Sequence, residues 1–196
     1  SRTVAKRDGD DYVINGTKTW ISNGIYGSAF ALLVKTDPEA QPRHKGTSLF
    51  IADKHEGFTV SRKLEKLGYK GIDSAELVFD DYRVPASQLI GLEEGKGLPH
   101  ALGGLELGRI NIAARGVGVA RSALELAVKY SQQRETFGQP IANHQAIQIK
   151  LADMATRLEA SKHLMTAAAQ AYDRGERCDM EAGMAKLYAT ETALYN

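Results

Sequence analysis

The sequence predicts an α+β protein: an antiparallel β-barrel or sandwich domain over residues 1–90, followed by an up-down helical bundle over residues 91–196. Three observations carry that prediction. Up to Pro85 the chain is short runs of β-branched and aromatic residues punctuated by Gly, Asp, Asn and Pro. Beyond Gly97 apolar residues recur at intervals of three to five. Between the two regions, Asp80 to Gly97 gathers Pro85, Gly91, Gly95 and Gly97 into a transition.

Arg2 to Arg7 and Tyr12 to Asn15 read as strands around Asp8-Gly9-Asp10, a hairpin signal. The second strand continues through Gly16-Thr17-Lys18-Thr19-Trp20-Ile21-Ser22-Asn23-Gly24. Strict alternation places Lys18, Trp20 and Ser22 on one face, with Thr17, Thr19, Ile21 and Asn23 on the other. Further strands are Ala29 to Lys35, Thr47 to Ala52, Phe58 to Arg62 and Ala75 to Phe79. Asp37 to Lys45, polar and holding two prolines, is a surface loop. Six or so strands without an intervening helix imply a small barrel or sandwich.

A first helix from about Leu98 to Gln132 would be on the order of 50 Å long. Its apolar positions are Leu102, Leu105, Ile110, Ala113, Val117, Ala120, Leu124 and Val128, and Pro99 is tolerable because it falls in the first turn. In the second helix Ile147, Leu151, Met154, Leu158, Ser161, Met165, Ala168 and Tyr172 step by alternating four and three, the heptad seam of a helix lying along another. Asp173-Arg174-Gly175 closes it, and Asp179 caps a third helix running through Met184, Leu187 and Leu194. Three such helices lack a partner: a fourth helix, another subunit, or both.

With 43% hydrophobic and 25% charged residues in 196, the chain can bury a substantial core in one or two domains. A net charge of +1 gives no electrostatic reason to expect nucleic acid or an anionic membrane as partner. The basic stretch Arg62, Lys63, Lys66 and Lys70 is interrupted by Glu65 and reads as a solvated face. Cys178 is the sole cysteine, which excludes an intrachain disulfide and points to a reducing compartment. Neither Cys178 nor the five histidines show metal-ligand spacing. No apolar run approaches the ~20 residues that span a bilayer, so a soluble protein without membrane insertion is expected. Its opening, Ser1-Arg2-Thr3, already reads as strand within a domain. Asn15-Gly16-Thr17 matches a glycosylation acceptor but belongs to the strand motif and is discounted. Gly116-Val117-Gly118-Val119-Ala120 has no preceding strand, so it reads as helix packing rather than a dinucleotide fingerprint.

Three groups of residues bear on chemistry. Trp20 and Ser22 together offer a π surface beside a hydroxyl donor, which suits a flat redox ring; a tryptophan on a half-buried strand is also commonly core, and a serine commonly a local backbone partner. Glu106 and Arg109, at i and i+3, share one helix side and could simply pair. Arg134-Glu135-Thr136-Phe137-Gly138-Gln139-Pro140-Ile141, followed by His144-Gln145-Ala146-Ile147, sets an arginine beside a tight glycine turn. A guanidinium there can bond two pyrophosphate oxygens, and the bland alternative is an interhelical loop with a surface arginine.

These runs, with Leu105-Glu106-Leu107-Gly108-Arg109, Leu67 to Ser74 and Phe79 to Pro85, resemble the acyl-CoA dehydrogenase family in family order across the whole chain. The resemblance implies a partial middle β domain and a partial C-terminal helical domain, with the N-terminal helical domain absent. It implies that Trp20 packs beside the isoalloxazine of FAD, and that Ser22, where many members have threonine, bonds the hydride-accepting nitrogen. It further implies that Arg134, Thr136, Phe137, Ile141, His144 and Gln145 hold the FAD of a neighbouring subunit, and that Glu106 and Arg109 contact the CoA of the substrate. The runs Leu67 to Ser74 and Phe79 to Pro85 read as loop and strand-end structure, with Asp73 and Ser74 as candidate neighbours of the active site.

Gly108 stands where one branch of the family bears its catalytic glutamate. No catalytic base is therefore expected in this chain, but beyond Asn196, and these residues alone should show little turnover. The implied activity is FAD-dependent α,β-dehydrogenation of an acyl-CoA thioester to trans-2-enoyl-CoA, with an electron-transfer flavoprotein as electron acceptor and a homo-oligomer, a dimer of dimers. The location would be the cytoplasm of a bacterium or the mitochondrial matrix. The alternatives are an acyl-CoA oxidase or nitroalkane-oxidising flavoenzyme on the same scaffold, marked by peroxide formation, and a non-catalytic binding or assembly module, marked by the lack of a flavin spectrum.

Overall fold

β1 (Val4–Asp8) and β2 (Asp11–Ser22) form the hairpin that Asp8-Gly9-Asp10 announces, with Asp8 opposite Asp11. The computed structural model describes residues 3–196, so Arg2, where the first strand is expected to begin, lies outside the described residues, as does Ser1. β3 (Ala29–Lys35), β4 (Thr47–Asp53), β5 (Phe58–Lys63) and β6 (Ser74–Pro85) complete one six-stranded sheet in the order β4-β3-β1-β2-β6-β5. Its ladders are antiparallel except β1 with β3, which is parallel.

β6 runs six residues past the expected Phe79, through Asp80 and Asp81. Tyr82 and Val84 lie opposite Ile14 and Tyr12 and all four are buried, so inward alternation outweighs the acidic pair. The acidic pair sits at a register shift between Ile14 and Gly16. There Asn15 donates to the Asp81 carboxylate at 3.0 Å and accepts from the Asp81 N–H at 2.8 Å.

The sheet curls so that β3 and β4 cover β2, β6 and β5. Tyr12 meets Phe50 edge-on at 4.9 Å, and Phe30 stacks on Phe58 at 5.5 Å. No ladder joins β4 to β5 among the described residues, so the curled sheet is sandwich-like and not a closed barrel. Ile14, Leu32, Val34, Phe50, Leu77, Phe79 and Tyr82 fill the fold. Tyr82 donates to the Asp53 carbonyl and accepts from the Asp53 N–H, both at 3.1 Å. Burial pushes its phenol up to about 12, with the backbone bond from Asp53 pulling the other way.

This first compact unit ends at Leu102, and a second comprises Gly103–Asn196. α1 (Gly97–Gln133) and α2 (Gln145–Asp173) are joined by a small hairpin, β7 (Glu135–Thr136) with β8 (Gln139–Pro140), and α3 (Asp179–Tyr195) follows. The seam on α2 is placed as its spacing requires at Met154, Leu158, Ser161 and Ala168, all buried. Gly175, at φ +71, lets the helix close as expected.

α3 differs from the sequence reading at its cap, and its buried face is made by small residues. Cys178 occupies the cap position, and Asp179 is the first helical residue, its carboxylate held by Arg177 at 2.7 Å. The buried face is Ala182, Ala185, Ala189 and Thr192, while Met184, Leu187 and Leu194 are exposed. Small residues let helices approach closely: Gly116 of α1 lies so near Ala189 that a Cβ there would stand 2.8 Å from its carbonyl oxygen. Such contacts favour alanine on the buried face and leave the larger side chains outside. Ser161 donates to Thr192 at 3.0 Å, which satisfies a buried polar pair between α2 and α3.

Candidate functional site

The first unit carries Trp20 and Ser22 at the end of β2. Strict alternation fails here, because the register against β6 shifts between Lys18 and Ile21 and Trp20 sits at φ +63. Lys18 therefore does not share a face with Trp20 and Ser22 as expected. It lines an apolar recess with Ile21, Phe30, Leu33 and Leu77, and its ammonium donates to the Leu33 carbonyl. Desolvation lowers its pKa. Ile21, expected on the opposite face from Trp20 and Ser22, packs toward the core between them.

Trp20 is 62% exposed and Ser22 is exposed. The Ser22 hydroxyl has no hydrogen-bond partner among the described residues. A large aromatic in the left-handed region is sterically costly, and such strain concentrates where a side chain must face a ligand.

The second unit repeats that pattern. In the β7–β8 turn, Phe137 at φ +52 and Gly138 at φ +77 are the two central residues, and Phe137 is 97% exposed. His144 gathers the segment. Thr136 Oγ1 lies 2.9 Å from its Nε2, and Phe137 meets its ring edge-on at 6.1 Å. Ile141 donates its N–H to the Arg134 carbonyl at 2.8 Å, and His144 donates to Ile141 at 3.0 Å.

Arg134, Thr136, Phe137, Ile141, His144 and Gln145 are thus brought together between α1 and α2. The Arg134 guanidinium has no ion-pair or hydrogen-bond partner among the described residues, and the Gln145 amide is equally unpartnered.

Glu106 and Arg109 stand apart, near the start of α1, and no ion pair joins them among the described residues. They influence the start of α3 instead. Arg177 is pushed up mainly by its hydrogen bond to Asp179, with Glu106 adding a little, and Asp179 is held down mainly by Arg177, with Arg109 contributing least. Cys178, wholly buried, is pushed up by desolvation first and then by Glu106. No group of three or more His, Cys, Asp or Glu residues is placed to hold a metal ion among the described residues.

Sequence reasoning missed the positive φ at Trp20 and Phe137. Only the second left a signal, a two-residue loop ending in glycine. It also missed that Asp73 grips the turn after Ser22.

The acyl-CoA dehydrogenase C-terminal domain model matches residues 95–196 and the middle-domain model residues 1–82. The chain belongs to the acyl-CoA dehydrogenase family. An acyl-CoA dehydrogenase of Bacillus subtilis is 46% identical over 194 residues, covering 98% of this chain and 50% of the relative. The human mitochondrial short-chain specific acyl-CoA dehydrogenase is 42% identical over 192 residues, covering 97% and 46% respectively. The butyryl-CoA dehydrogenase structure from Megasphaera elsdenii superposes with a TM-score of 0.93 at 37% identity, covering 97% of this chain and 50% of that one. The chain spans about half the length of the curated relatives it matches. No helix among the described residues is long and apolar enough to cross a membrane.

Proposed function

We propose that the protein containing this chain oxidises an acyl-CoA thioester between its α and β carbons, using FAD, and passes the electrons to an electron-transfer flavoprotein. One observation carries the reading: an exposed Trp20 held at positive φ beside an unpartnered Ser22 hydroxyl, in a member of this family. Those groups fit a flavin, since a tricyclic ring needs an open aromatic wall and a donor not already consumed.

Trp20 and Ser22 would face the isoalloxazine. Arg134 would grip the pyrophosphate with two N–H groups, and Gln145 would meet an adenine edge. The Thr136–His144 bond fixes the turn that presents Phe137, and the Ile141 N–H ties the segment back to the Arg134 carbonyl. Since the Arg134 cluster serves a neighbouring subunit's FAD in this reading, the working protein is a homo-oligomer. Glu106 and Arg109 would contact the CoA moiety. Bound FAD supplies hydride acceptance from the β carbon as the α proton leaves. None of residues 1–196 is assigned the base for that proton: Gly108 has no side chain to serve, and Glu106 lies with the α3 charges.

The test is anaerobic mixing of the full-length protein with a short acyl-CoA. Bleaching of the flavin band with formation of the 2-enoyl thioester is expected. A flavin that stays oxidised with a range of acyl-CoAs contradicts the reading, and substrate-dependent peroxide in air would favour an oxidase.

A further inference from the structure

β2 pairs with β6 for only two positions after its register shift, Ile21 with Ala75 and Ser22 with Ser74. So short a ladder leaves the direction of the Ser22 hydroxyl under-determined by the sheet. The next residue supplies the missing constraint. Asp73, 4% exposed, accepts the Asn23 N–H on its carbonyl at 3.1 Å and the Ile25 N–H on its carboxylate Oδ2 at 2.8 Å. Asn23 lies at φ +57, and Gly24 packs so closely that a Cβ would stand 2.9 Å from that of Ala75. The chain thus turns tightly around one buried carboxyl group.

That group is an expensive choice for a turn. Oδ1 is buried with no hydrogen-bond partner, and no cation pairs with Asp73 among the described residues. A buried oxygen left without a hydrogen bond lowers stability, so its presence beside an otherwise ordinary turn marks a position where geometry matters more than stability.

We propose that Asp73 is a positioning residue for the flavin site: by clamping Asn23 and Ile25 it fixes the end of β2 and so aims the Ser22 hydroxyl at the flavin. This rests on the reading of Trp20 and Ser22 given above. In this assignment Asp73, buried behind the strand end, acts through the turn and not by contact with flavin or substrate.

The experiment compares D73A, D73N, S22A and the D73A/S22A double variant of the full-length protein by FAD affinity, and by amide hydrogen exchange at residues 23–25 in the apoprotein. Losing the Ile25 acceptor is expected to speed exchange there and weaken FAD about tenfold. D73N presents the same acceptor and should restore both readouts. The double variant should bind FAD no more weakly than S22A alone, because both substitutions remove one interaction. If D73A does not fold, D73S, too short to hold Ile25, takes its place with the same expectation.

A folded D73A with unchanged FAD affinity, losses that multiply with S22A, or a D73N as weak as D73A overturns the proposal. S22A with wild-type affinity and flavin spectrum overturns the wider reading and this inference with it. A weakened S22A beside an unaffected D73A overturns the inference alone.

Discussion

Arg134→Ala should weaken FAD binding on the order of 100-fold in the full-length protein, while Glu106→Ala leaves it close to wild type. The Arg134 guanidinium is exposed and spends none of its donors on the described residues, so its whole charge is available to an anion. Two charge-assisted bonds to a pyrophosphate, each about 1.5–3 kcal/mol before solvent screening, leave roughly 3 kcal/mol, or about two decades in affinity. Arg134→Lys should recover only part of this, since an ammonium cannot bond two oxygens in a fork. Titration of the apoprotein with FAD measures all three. Equal flavin occupancy in the Arg134 and Glu106 variants counts against the assignment.

Phe50→Ala should destabilise the protein by about 3–5 kcal/mol. Phe50 is fully buried on β4, touches Tyr12 of β2 edge-on at 4.9 Å and pairs by a backbone bridge with Leu89. It therefore ties one half of the curled sheet to the other, and its loss leaves a cavity that the strands cannot close. Phe137→Ala is the contrasting case. At 97% exposure that ring makes only an edge-on contact with His144 among the ring pairs, so its removal should change stability within about 0.5 kcal/mol and be felt in FAD binding instead. Thermal or urea unfolding of the two variants decides it. Similar losses in both would mean that Phe137 is structural.

How much of this was legible beforehand varies with the kind of physics involved. Strand and helix periods are local, so β1 to β5 and the three helices lie where the residues place them, and the heptad seam of α2 is buried at Met154, Leu158 and Ala168. The second half of β6 was hidden because Asp80-Asp81 reads as a loop until its partner strand supplies Ile14 and Tyr12. On α3 the residues placed the helix but did not select its buried face, since the choice between Leu187 and Ala189 is made by how near another helix comes.

At the site, the residue types at Trp20, Ser22 and Arg134 were readable. Their presentation was not. A register shift at Trp20 carries Lys18 to the inner face, and nothing in the residues from Lys18 to Ile21 signals it. The same holds for Asp73, whose grip on Ile25 spans 48 positions of sequence.

The most direct measurement is the nitrogen NMR shift of the hydride-accepting nitrogen in labelled FAD bound to the full-length protein, compared between wild type and Ser22→Ala. A hydroxyl donating to that atom predicts a displaced resonance in the variant, with the other ring nitrogens nearly unmoved. An identical resonance in both proteins, with FAD bound in each, would contradict the account.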